Sequence, residues 1–343
     1  MFDGEIASTG FCVLRPSKAI DSRFLYFTVT RQAFLDEVIA KQRGVSYPAV
    51  RPAEILEVPI PLPPLPEQHR IVEVLEDHLS RLDAVERVLE EARVKMRRMR
   101  AQHLTAALRS RELIASSTIG DECEVFVGTT PSRANPKLWN GDLPWVSSGE
   151  VAFNRIATTR ERISREAAGN ARTRIHPPGT VMIAMIGEGK TRGQVAILDI
   201  EAAHNQNCAA IRIDSSKFLP EFVYHSLRSR YEHNRNSGAG GVQPALNKQK
   251  VQRIELPVLT IGDQRDVVAE IEEFEDAHTH VMIAIDKASI RSAALRRSLL
   301  RAAFNGELVD QDPTDEPAEA ALAKLRTAAK APTGRRRKAV AAP

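Results

Sequence analysis

Residues 184–191 (AMIGEGKT) are the stretch of the chain that comes closest to a nucleotide-binding motif. They satisfy a relaxed phosphate-loop pattern, in which Ala or Gly is followed by four residues and then by Gly-Lys-Thr. A working phosphate loop needs a helix directly after it, because the amides at the helix N-terminus hold the phosphates. Residues 192–200 (RGQVAILDI) instead alternate like a β-strand, and Asp199 follows too closely for a strand beyond a crossover helix. The sequence therefore predicts a basic loop between two strands, suited to a DNA phosphate or groove, and argues against an ATPase.

Motifs for other enzyme classes are missing or have a simpler explanation. A DNA methyltransferase needs Asn/Asp-Pro-Pro-aromatic, whereas the Asn-Pro pair at residues 135–136 is followed by Lys-Leu. Acids that could hold Mg²⁺ for a nuclease lie on helix-forming stretches, where a solvated face explains them. The nine histidines include no HExxH or other metal-spaced pair. We therefore expect no catalytic residues and no metal site.

Cysteine usage and charge narrow the class of protein further. Cys12, Cys123 and Cys208 lie far apart without a CxxC pair, which is typical of a reduced cytoplasmic protein. No apolar run approaches the roughly 20 residues that cross a bilayer. The net charge is +4, and basic residues cluster within 93–100, 291–301 and 335–338. Such clusters suit a polyanionic partner, although exposed faces of paired helices have the same composition.

The chain repeats itself at a constant offset in residue number. Pro48 and Pro244, Pro61 and Pro257, and Gln68 and Gln264 all differ by 196 (264 − 68). Cys12 and Cys208 share this offset as well, and Phe24 matches Phe222 after a shift of two residues. An offset held through a turn and the following helix indicates duplication, so each repeat is one structural unit.

A long helix follows the globular part of each repeat. After Glu67 and again after Asp263, apolar residues recur at heptad-like spacing, with no Pro and no interior Gly before Gly306. Each helix of about 40 residues spans roughly 60 Å. A helix with so narrow an apolar stripe needs a partner, and we predict that the two helices pair with each other in antiparallel orientation; the alternative is two unrelated surface helices. The predicted pairing residues are Leu75, Leu82, Val85, Leu89, Met96 and Met99 in the first helix, and Ile271, Val281, Ile285, Leu295 and Leu299 in the second.

The region between the helices, residues 116–262, has the pattern of a mixed α/β domain. Short β-branched or apolar runs alternate with turn residues, at 124–127, 181–186, 195–200 and 209–213. Residues 218–231 have helical spacing. The Ala-, Pro- and Lys/Arg-rich tail from residue 310 predicts a short helix over 317–329 and is otherwise expected to be disordered.

Four sequence features together resemble the specificity subunit of type I restriction–modification systems. They are residues 141–151 (GDLPWVSSGEV), residues 179–198 (GTVMIAMIGEGKTRGQVAIL), residues 204–211 (HNQNCAAI), and the proline turns followed by Glu/Asp-Gln at 61–68 and 257–264. The resemblance implies α/β (α+β) target-recognition domains in tandem, separated by two long helices that form an antiparallel coiled coil. It covers nearly all of the chain up to about residue 309.

The same resemblance implies a function and a set of partners. The chain would be a non-catalytic subunit that binds double-stranded DNA at a bipartite target. It would direct adenine methylation by two methylating subunits and restriction by motor/nuclease subunits. S-adenosylmethionine, ATP and Mg²⁺ would be bound on those partners, and this chain would hold no cofactor.

Repeat and resemblance together predict domain boundaries. These are a partial first recognition domain (1–66), a central spacer helix (67–113), a complete second recognition domain (116–262), a C-terminal spacer helix (263–309) and a disordered basic tail (310–343). The repeat offset places the start of the first domain well upstream of Met1, at position −80 (116 − 196). The alternative function is therefore a truncated subunit that docks the methylating subunit without reading a full target.

Candidate DNA contacts follow from the loop chemistry. Lys190, Thr191 and Arg192 are predicted to contact DNA, because Lys and Arg supply both phosphate attraction and guanine-edge readout. We expect Trp145 to belong to the core. Further candidates are Ser147, Ser148 and Glu150 for base edges, Gln243 and Asn247 for adenine or for stabilising a turn, and Arg43, Ser46, Tyr47 and Arg51 in the first domain.

Overall fold

The computed structural model describes residues 8, 10–44, 49–168, 175–187, 189–236 and 245–330. Its α-helices are, in chain order, α1 (Ser22–Thr30), α2 (Gln32–Ala40), α3 (Pro52–Leu56), α4 (Leu65–Ala107), α5 (Ile119–Glu122), α6 (Arg165–Ala168), α7 (Pro220–Ser229), α8 (Tyr231–Asn236), α9 (Lys248–Gln252), α10 (Ile261–Phe304) and α11 (Ala318–Lys330). Its strands are β1 (Ala115–Thr118), β2 (Glu124–Val127), β3 (Leu143–Val146), β4 (Asn154–Ile156), β5 (Glu161–Ile163), β6 (Val181–Ala184), β7 (Val195–Leu198), β8 (Ala203–His204), β9 (Cys208–Arg212) and β10 (Glu255–Val258). The chain forms two compact units, one of Met1–Ala92 with Ala284–Pro343 and the other of Arg93–Ile283.

The sequence repeat is confirmed by where the helices begin. Helices α3 and α9 start at Pro52 and Lys248, and α4 and α10 start at Leu65 and Ile261, so both pairs keep the offset found in the sequence. Helices α1 and α7 keep it with the two-residue shift that the sequence also shows. Both long helices start two residues before the predicted positions and end sooner than predicted. Helix α10 ends before Gly306, whose φ of +74° is favourable only for glycine.

The unit Arg93–Ile283 is built around a five-stranded mixed sheet in the order β2-β9-β6-β7-β4. Neighbouring strands are antiparallel except β7 and β4, which are parallel. A three-stranded sheet, β5-β3-β8, and the antiparallel pair β1-β10 complete the unit. The predicted strands are confirmed in position, although the β6 and β7 runs end two residues earlier than their apolar stretches.

Both faces of the five-stranded sheet are buried, because alternate residues of its central strands join different cores. Val181 and Ile183 of β6 pack in the core that contains α7 and the ends of both long helices. Met182 and Ala184 face a second core with β4 and β9. A strand buried on both sides has no polar alternation, which explains the continuous apolar runs in the sequence.

The other unit has a single described apolar core, to which helices contribute most of the residues. Phe24 of α1 packs with Ile71, Leu75 and Leu82 of α4 and with Ala303 of α10. The rings of Phe24 and Phe304 lie 5.3 Å apart. Within the described part of this unit no strand is present apart from an isolated bridge between Arg43 and Ala49.

The two long helices pair as an antiparallel coiled coil. In one unit Arg296 of α10 forms an ion pair with Asp83 of α4. In the other, Arg100 of α4 binds Glu275 of α10 and the ring of His103 stacks on Phe274 at 4.0 Å. The partners on α10 run backwards as the positions on α4 advance, so the predicted orientation is confirmed.

The predicted pairing stripe is wrong at four positions. Val85, Met99, Val281 and Leu295 are 45%, 39%, 42% and 51% exposed, whereas Leu75, Leu82, Ile271 and Ile285 are buried as predicted. Leu89, Met96 and Leu299 are half-buried.

Polar residues in the seam explain three of the four errors, and Val281, which lies next to the apolar Met282, is the exception. One stripe of buried and half-buried positions on each helix recurs every three or four residues, and it contains Leu75, Leu79, Leu82, Glu86, Leu89, Arg93, Met96, Arg100 and His103 on α4, and Phe274, His278, Met282, Ile285, Ser289, Ser292, Arg296 and Leu299 on α10. When a seam position holds a charged or hydroxyl side chain, an assignment based on hydrophobicity selects the neighbouring apolar residue instead. Val85 next to Glu86 and Met99 next to Arg100 are two such places.

A buried glutamine joins each long helix to the globular part that precedes it. Gln68 accepts a hydrogen bond from the Asp21 amide at 2.8 Å and donates to the carbonyls of Ala19 and Pro63 at 3.0 and 2.9 Å. Gln264 accepts from the Leu219 amide at 2.9 Å and donates to the carbonyls of Lys217 and Leu259 at 2.9 and 3.0 Å. We call each arrangement a glutamine junction. The same three backbone bonds in both repeats explain why a Gln follows each proline turn.

Candidate nucleic-acid interface

The loop between β6 and β7 carries the principal candidates, and its backbone is closed tightly. The amide of Gly193 donates to the carbonyl of Ala184 at 2.8 Å, and the amide of Ala184 donates to the carbonyl of Gln194 at 2.9 Å. Gly187 and Gly193 have φ of +131° and +84°, conformations that side chains rarely adopt. Residues 189–193 form turns and β7 follows, so the prediction of a strand rather than a helix after Thr191 is confirmed. The phosphate-loop geometry is absent from this described segment.

Helix α8 holds the loop from one side. The hydroxyl of Tyr231 donates to the carbonyl of Lys190 at 2.5 Å, and Nε of Arg192 donates to the carbonyl of Arg235 at 3.1 Å. The Tyr231 ring also packs edge-on against Phe153 at 5.0 Å. Phe153 is the one non-glycine residue with positive φ in the described part of the chain. Because these anchors are distant from the loop in sequence, no local pattern could have revealed them.

The three loop candidates therefore have different environments. Lys190 is exposed, Thr191 is half-buried, and Arg192 is only 7% exposed. An exposed ammonium on a fixed backbone can bind a phosphate or a base edge without first ordering the loop. Arg192 supports the loop, and its contact with DNA stays a prediction, as does that of Lys190.

The candidates after β3 form a local cap. Oε2 of Glu150 accepts from both the amide and the hydroxyl of Ser147 at 2.8 Å, and Oε1 accepts from the amide of Arg160 at 2.8 Å. Both carboxylate oxygens of Glu150 thus already have protein donors. Ser148 is half-buried at the start of the 3₁₀ helix Ser148–Glu150. Base contacts by these residues stay predictions, and the capping box gives the Ser-x-x-Glu spacing a structural explanation.

The structure describes only some of the remaining candidate DNA-contact residues. Asn247 caps α9, with Oδ1 accepting from the Lys250 amide at 2.9 Å, which is the turn-stabilising role that the sequence left open. Arg51 occupies the N-cap position of α3 at the equivalent repeat position, where its backbone amide donates to Glu54 at 2.9 Å and its side chain makes no cap bond. Arg43 pairs with Glu54 at 2.7 Å. Gln243, Ser46 and Tyr47 lie outside the described residues.

An aromatic cluster next to the candidate surface was not expected from the sequence. Trp145 is 3% exposed, which confirms it as a core residue, and Trp139 packs edge-on against it at 4.9 Å. The guanidinium of Arg133 lies 3.5 Å from the Trp139 ring centroid and binds both oxygens of Glu161 at 2.5 and 2.9 Å. These hydrogen bonds lower the pKa of Glu161, outweighing desolvation, which acts in the opposite direction. Arg133 is thus held flat on an aromatic surface at the edge of the three-stranded sheet.

Burial keeps two histidines and two cysteine thiols of this unit neutral. Burial lowers the pKa of His204 to about 4 and that of His225 to about 4. Burial likewise raises the pKa of the Cys123 thiol to about 11, and it raises the pKa of Cys208 as well. A thiol with a raised pKa is a poor nucleophile and metal ligand. Within the described ranges, no three His, Cys, Asp or Glu side chains lie close enough together to hold a metal ion.

The fold and the two-fold repeat correspond to a known class of protein. The family described as "Type I restriction modification DNA specificity domain" matches residues 1–93 and 112–283, one stretch in each repeat. The two stretches together cover well over half of the chain, and the chain belongs to this family.

Individual relatives have the same description. The chain is 25% identical over 232 residues to the type I restriction enzyme EcoR124I/EcoR124II specificity subunit of Escherichia coli, covering 64% of this chain and 55% of that protein. It is 22% identical over 342 residues to the StySPI specificity subunit of Salmonella potsdam, covering 91% of this chain and 71% of that protein. The chain thus spans little more than half the length of the Escherichia coli relative.

Solved structures share the fold. A chain from a type I R-M system, studied for its complex assembly and conformational transition, matches with a TM-score of 0.75 and 23% identity, covering 88% of this chain and 75% of that one. The HsdS subunit from Thermoanaerobacter tengcongensis matches with a TM-score of 0.58 and 24% identity, covering 89% and 76%. Among the described residues, no helix combines the length and apolar character needed to cross a bilayer.

Proposed function

We propose that this chain is the DNA-specificity subunit of a type I restriction–modification complex, reading a bipartite target and carrying no catalysis itself. The observation that supports this most directly is that the family match falls on both repeats of a duplicated architecture. A duplicated reader joined through paired helices suits two separated half-sites, with the helices as the spacer.

The reading surface in this proposal lies on the unit Arg93–Ile283. Lys190 supplies an exposed charge on a loop that α8 holds in place, and phosphate contacts of this kind fix the register of a protein on DNA. Exposed polar side chains beside it would then read base edges in the groove. Thr191, Ser147 and Ser148 are half-buried in this region and are the next candidates.

The partners in this proposal are two methylating subunits and the motor/nuclease subunits of the same complex. S-adenosylmethionine, ATP and Mg²⁺ are bound on those partners and not on this chain. The complex acts in the cytoplasm, where Cys12, Cys123 and Cys208 remain free thiols.

Methylation sequencing of genomic DNA tests the proposal. Cells with intact partner subunits are compared with cells that lack this gene and with cells complemented by the wild-type gene. We expect a split motif to lose adenine methylation without the gene and to regain it on complementation. If the methylated motif contains only one half-site, or a palindrome of a single half-site, residues 116–262 alone read the DNA. If no motif changes, the chain is not a reader, and the alternative of a subunit that only docks the methylating partner takes its place.

A further inference from the structure

A cavity of about 590 Å³ in the unit Arg93–Ile283 has no role in the function proposed above. It lies where the C-terminal end of α4 meets α7, α8 and β10, and none of the described residues of the β6–β7 loop lines it. The lining residues that matter here are Arg109, Arg111, Ser226, Arg230, His233 and Glu255. Its size is within the range of pockets that hold small ligands.

The lining carries more positive than negative charge. Arg230 pairs with Glu255 at 2.5 Å, and Glu255 is the one carboxylate among the described residues of the lining. Arg111 lies 3.7 Å from Glu270, which does not line the cavity. Arg109 is exposed and makes no ion pair with any residue that the structure describes. Three guanidinium groups therefore surround the cavity with one carboxylate against them, and the imidazole of His233 adds a further donor.

A buried hydroxyl at the cavity has no partner. Ser226 is 3% exposed, lines the cavity, and its Oγ makes no hydrogen bond. The equivalent residue of the other repeat, Thr28, donates from its hydroxyl to the Phe24 carbonyl at 2.8 Å. Ser226 makes no such bond to the preceding helical turn. This oxygen has almost no accessible surface, so a ligand in the cavity meets the guanidinium groups and not the Ser226 hydroxyl.

We propose that this cavity binds a phosphate oxyanion through Arg109 and Arg111. Guanidinium groups bind phosphate oxygens in a bidentate manner through charge-assisted hydrogen bonds. The phosphate comes either from the DNA backbone or from a free phosphate or phosphomonoester. A DNA phosphate as the ligand rests on the proposed function, whereas a free phosphate or phosphomonoester rests on the cavity alone.

Inorganic phosphate is the first probe. The thermal midpoint of the full chain is measured at pH 7 with increasing phosphate, and chloride keeps the ionic strength constant. We expect the midpoint to rise with phosphate, because a ligand that binds only the folded state stabilises it. In Arg109→Gln and in Arg111→Gln the phosphate concentration for half the effect should rise about tenfold, the loss of one charge-assisted hydrogen bond. Arg265→Gln removes the same charge from an exposed site on α10 and should behave like wild type.

Duplex DNA of random sequence is the second probe. Its affinity is measured for wild type, Arg109→Gln and Arg265→Gln over a series of salt concentrations. If the phosphate belongs to DNA, Arg109→Gln reduces the salt slope by about one unit on any sequence. A phosphate effect with an unchanged slope assigns the cavity to a free phosphate. Phosphate stabilisation of a chain that binds no duplex would support the cavity and contradict the proposed function. The absence of phosphate stabilisation, together with an unchanged salt slope, overturns the inference.

Discussion

Nε of Arg192 donates a hydrogen bond to the backbone carbonyl of Arg235 at 3.1 Å, and this bond fixes the β6–β7 loop on helix α8. Two positions earlier, Lys190 uses its backbone carbonyl to bind Tyr231 and leaves its side chain exposed. Two basic residues that look alike in the sequence therefore differ in role. Arg192 maintains the loop, and Lys190 presents a charge on it.

Alanine substitutions separate these two roles. Lys190→Ala should leave the thermal midpoint unchanged and reduce the salt slope of DNA binding by about one unit. Arg192→Ala removes a buried hydrogen-bonded cation and should cost about 1–3 kcal/mol of stability as well as affinity. Fluorescence anisotropy over a salt series and thermal unfolding measure both effects, with exposed Lys217→Ala as the control. An unchanged slope in Lys190→Ala combined with Arg192→Ala would remove the loop from the DNA interface.

The corrected seam of the coiled coil predicts that two leucines differ in importance. Leu82 is 8% exposed and Leu295 is 51% exposed, in the same unit. Leu82→Ala should cost about 2–4 kcal/mol, because it leaves a cavity between the helices. Leu295→Ala should cost less than about 1 kcal/mol in the isolated chain. Urea unfolding followed by circular dichroism compares them, and equal losses would restore the seam assigned from hydrophobicity.

The glutamine junction predicts a large effect from a single polar side chain. Gln264→Ala leaves the Leu219 amide and two carbonyls without their partner in a fully buried position. We expect a loss of about 2–4 kcal/mol, well above that of exposed Gln249→Ala on α9. Thermal unfolding of both variants measures this. A midpoint for Gln264→Ala that matches the control contradicts a structural role for the junction.

Buried His204 predicts a loss of stability in acid. Burial lowers its pKa to about 4 from an unfolded value of 6.5, so the unfolded state binds the proton first as the pH falls. Stability therefore declines as the pH falls from about 6.5 to about 4, by up to about 3 kcal/mol from this group. His204→Asn keeps a donor for the Asn205 carbonyl and should flatten this part of the pH profile. Exposed His233→Asn should leave the profile as steep as in wild type.

The architecture could be predicted because its signals are local or periodic. The offset between Gln68 and Gln264, the long heptad-like stretches and the apolar strand runs each depend on residues close in sequence or on a regular spacing. They predicted the duplication, the paired helices and the α/β unit, all of which the structure confirms. The resemblance to specificity subunits depended on the same segments, and the family match covers them.

The details of the site could not be predicted in the same way. Arg192 is held by Arg235, and Arg133 is stacked on Trp139 and paired with Glu161 across a sheet edge, so these roles depend on contacts distant in sequence. The seam was misassigned because Glu86 and Arg100 occupy positions where hydrophobic residues were expected. In each case the residue type indicated a possible role, and the residue that it contacts in the folded protein determined the actual role.

The glutamine junctions have a consequence for how such a chain can change. Each glutamine bonds only main-chain amides and carbonyls of the globular part, at Ala19, Asp21 and Pro63 or at Lys217, Leu219 and Leu259. Every amino acid offers a main-chain carbonyl, and every one except proline offers an amide donor. Side chains at those positions can therefore diversify while the attachment to the helix stays intact. Because the glutamine junction contacts only main-chain atoms, the same pair of helices can carry recognition domains of unrelated sequence.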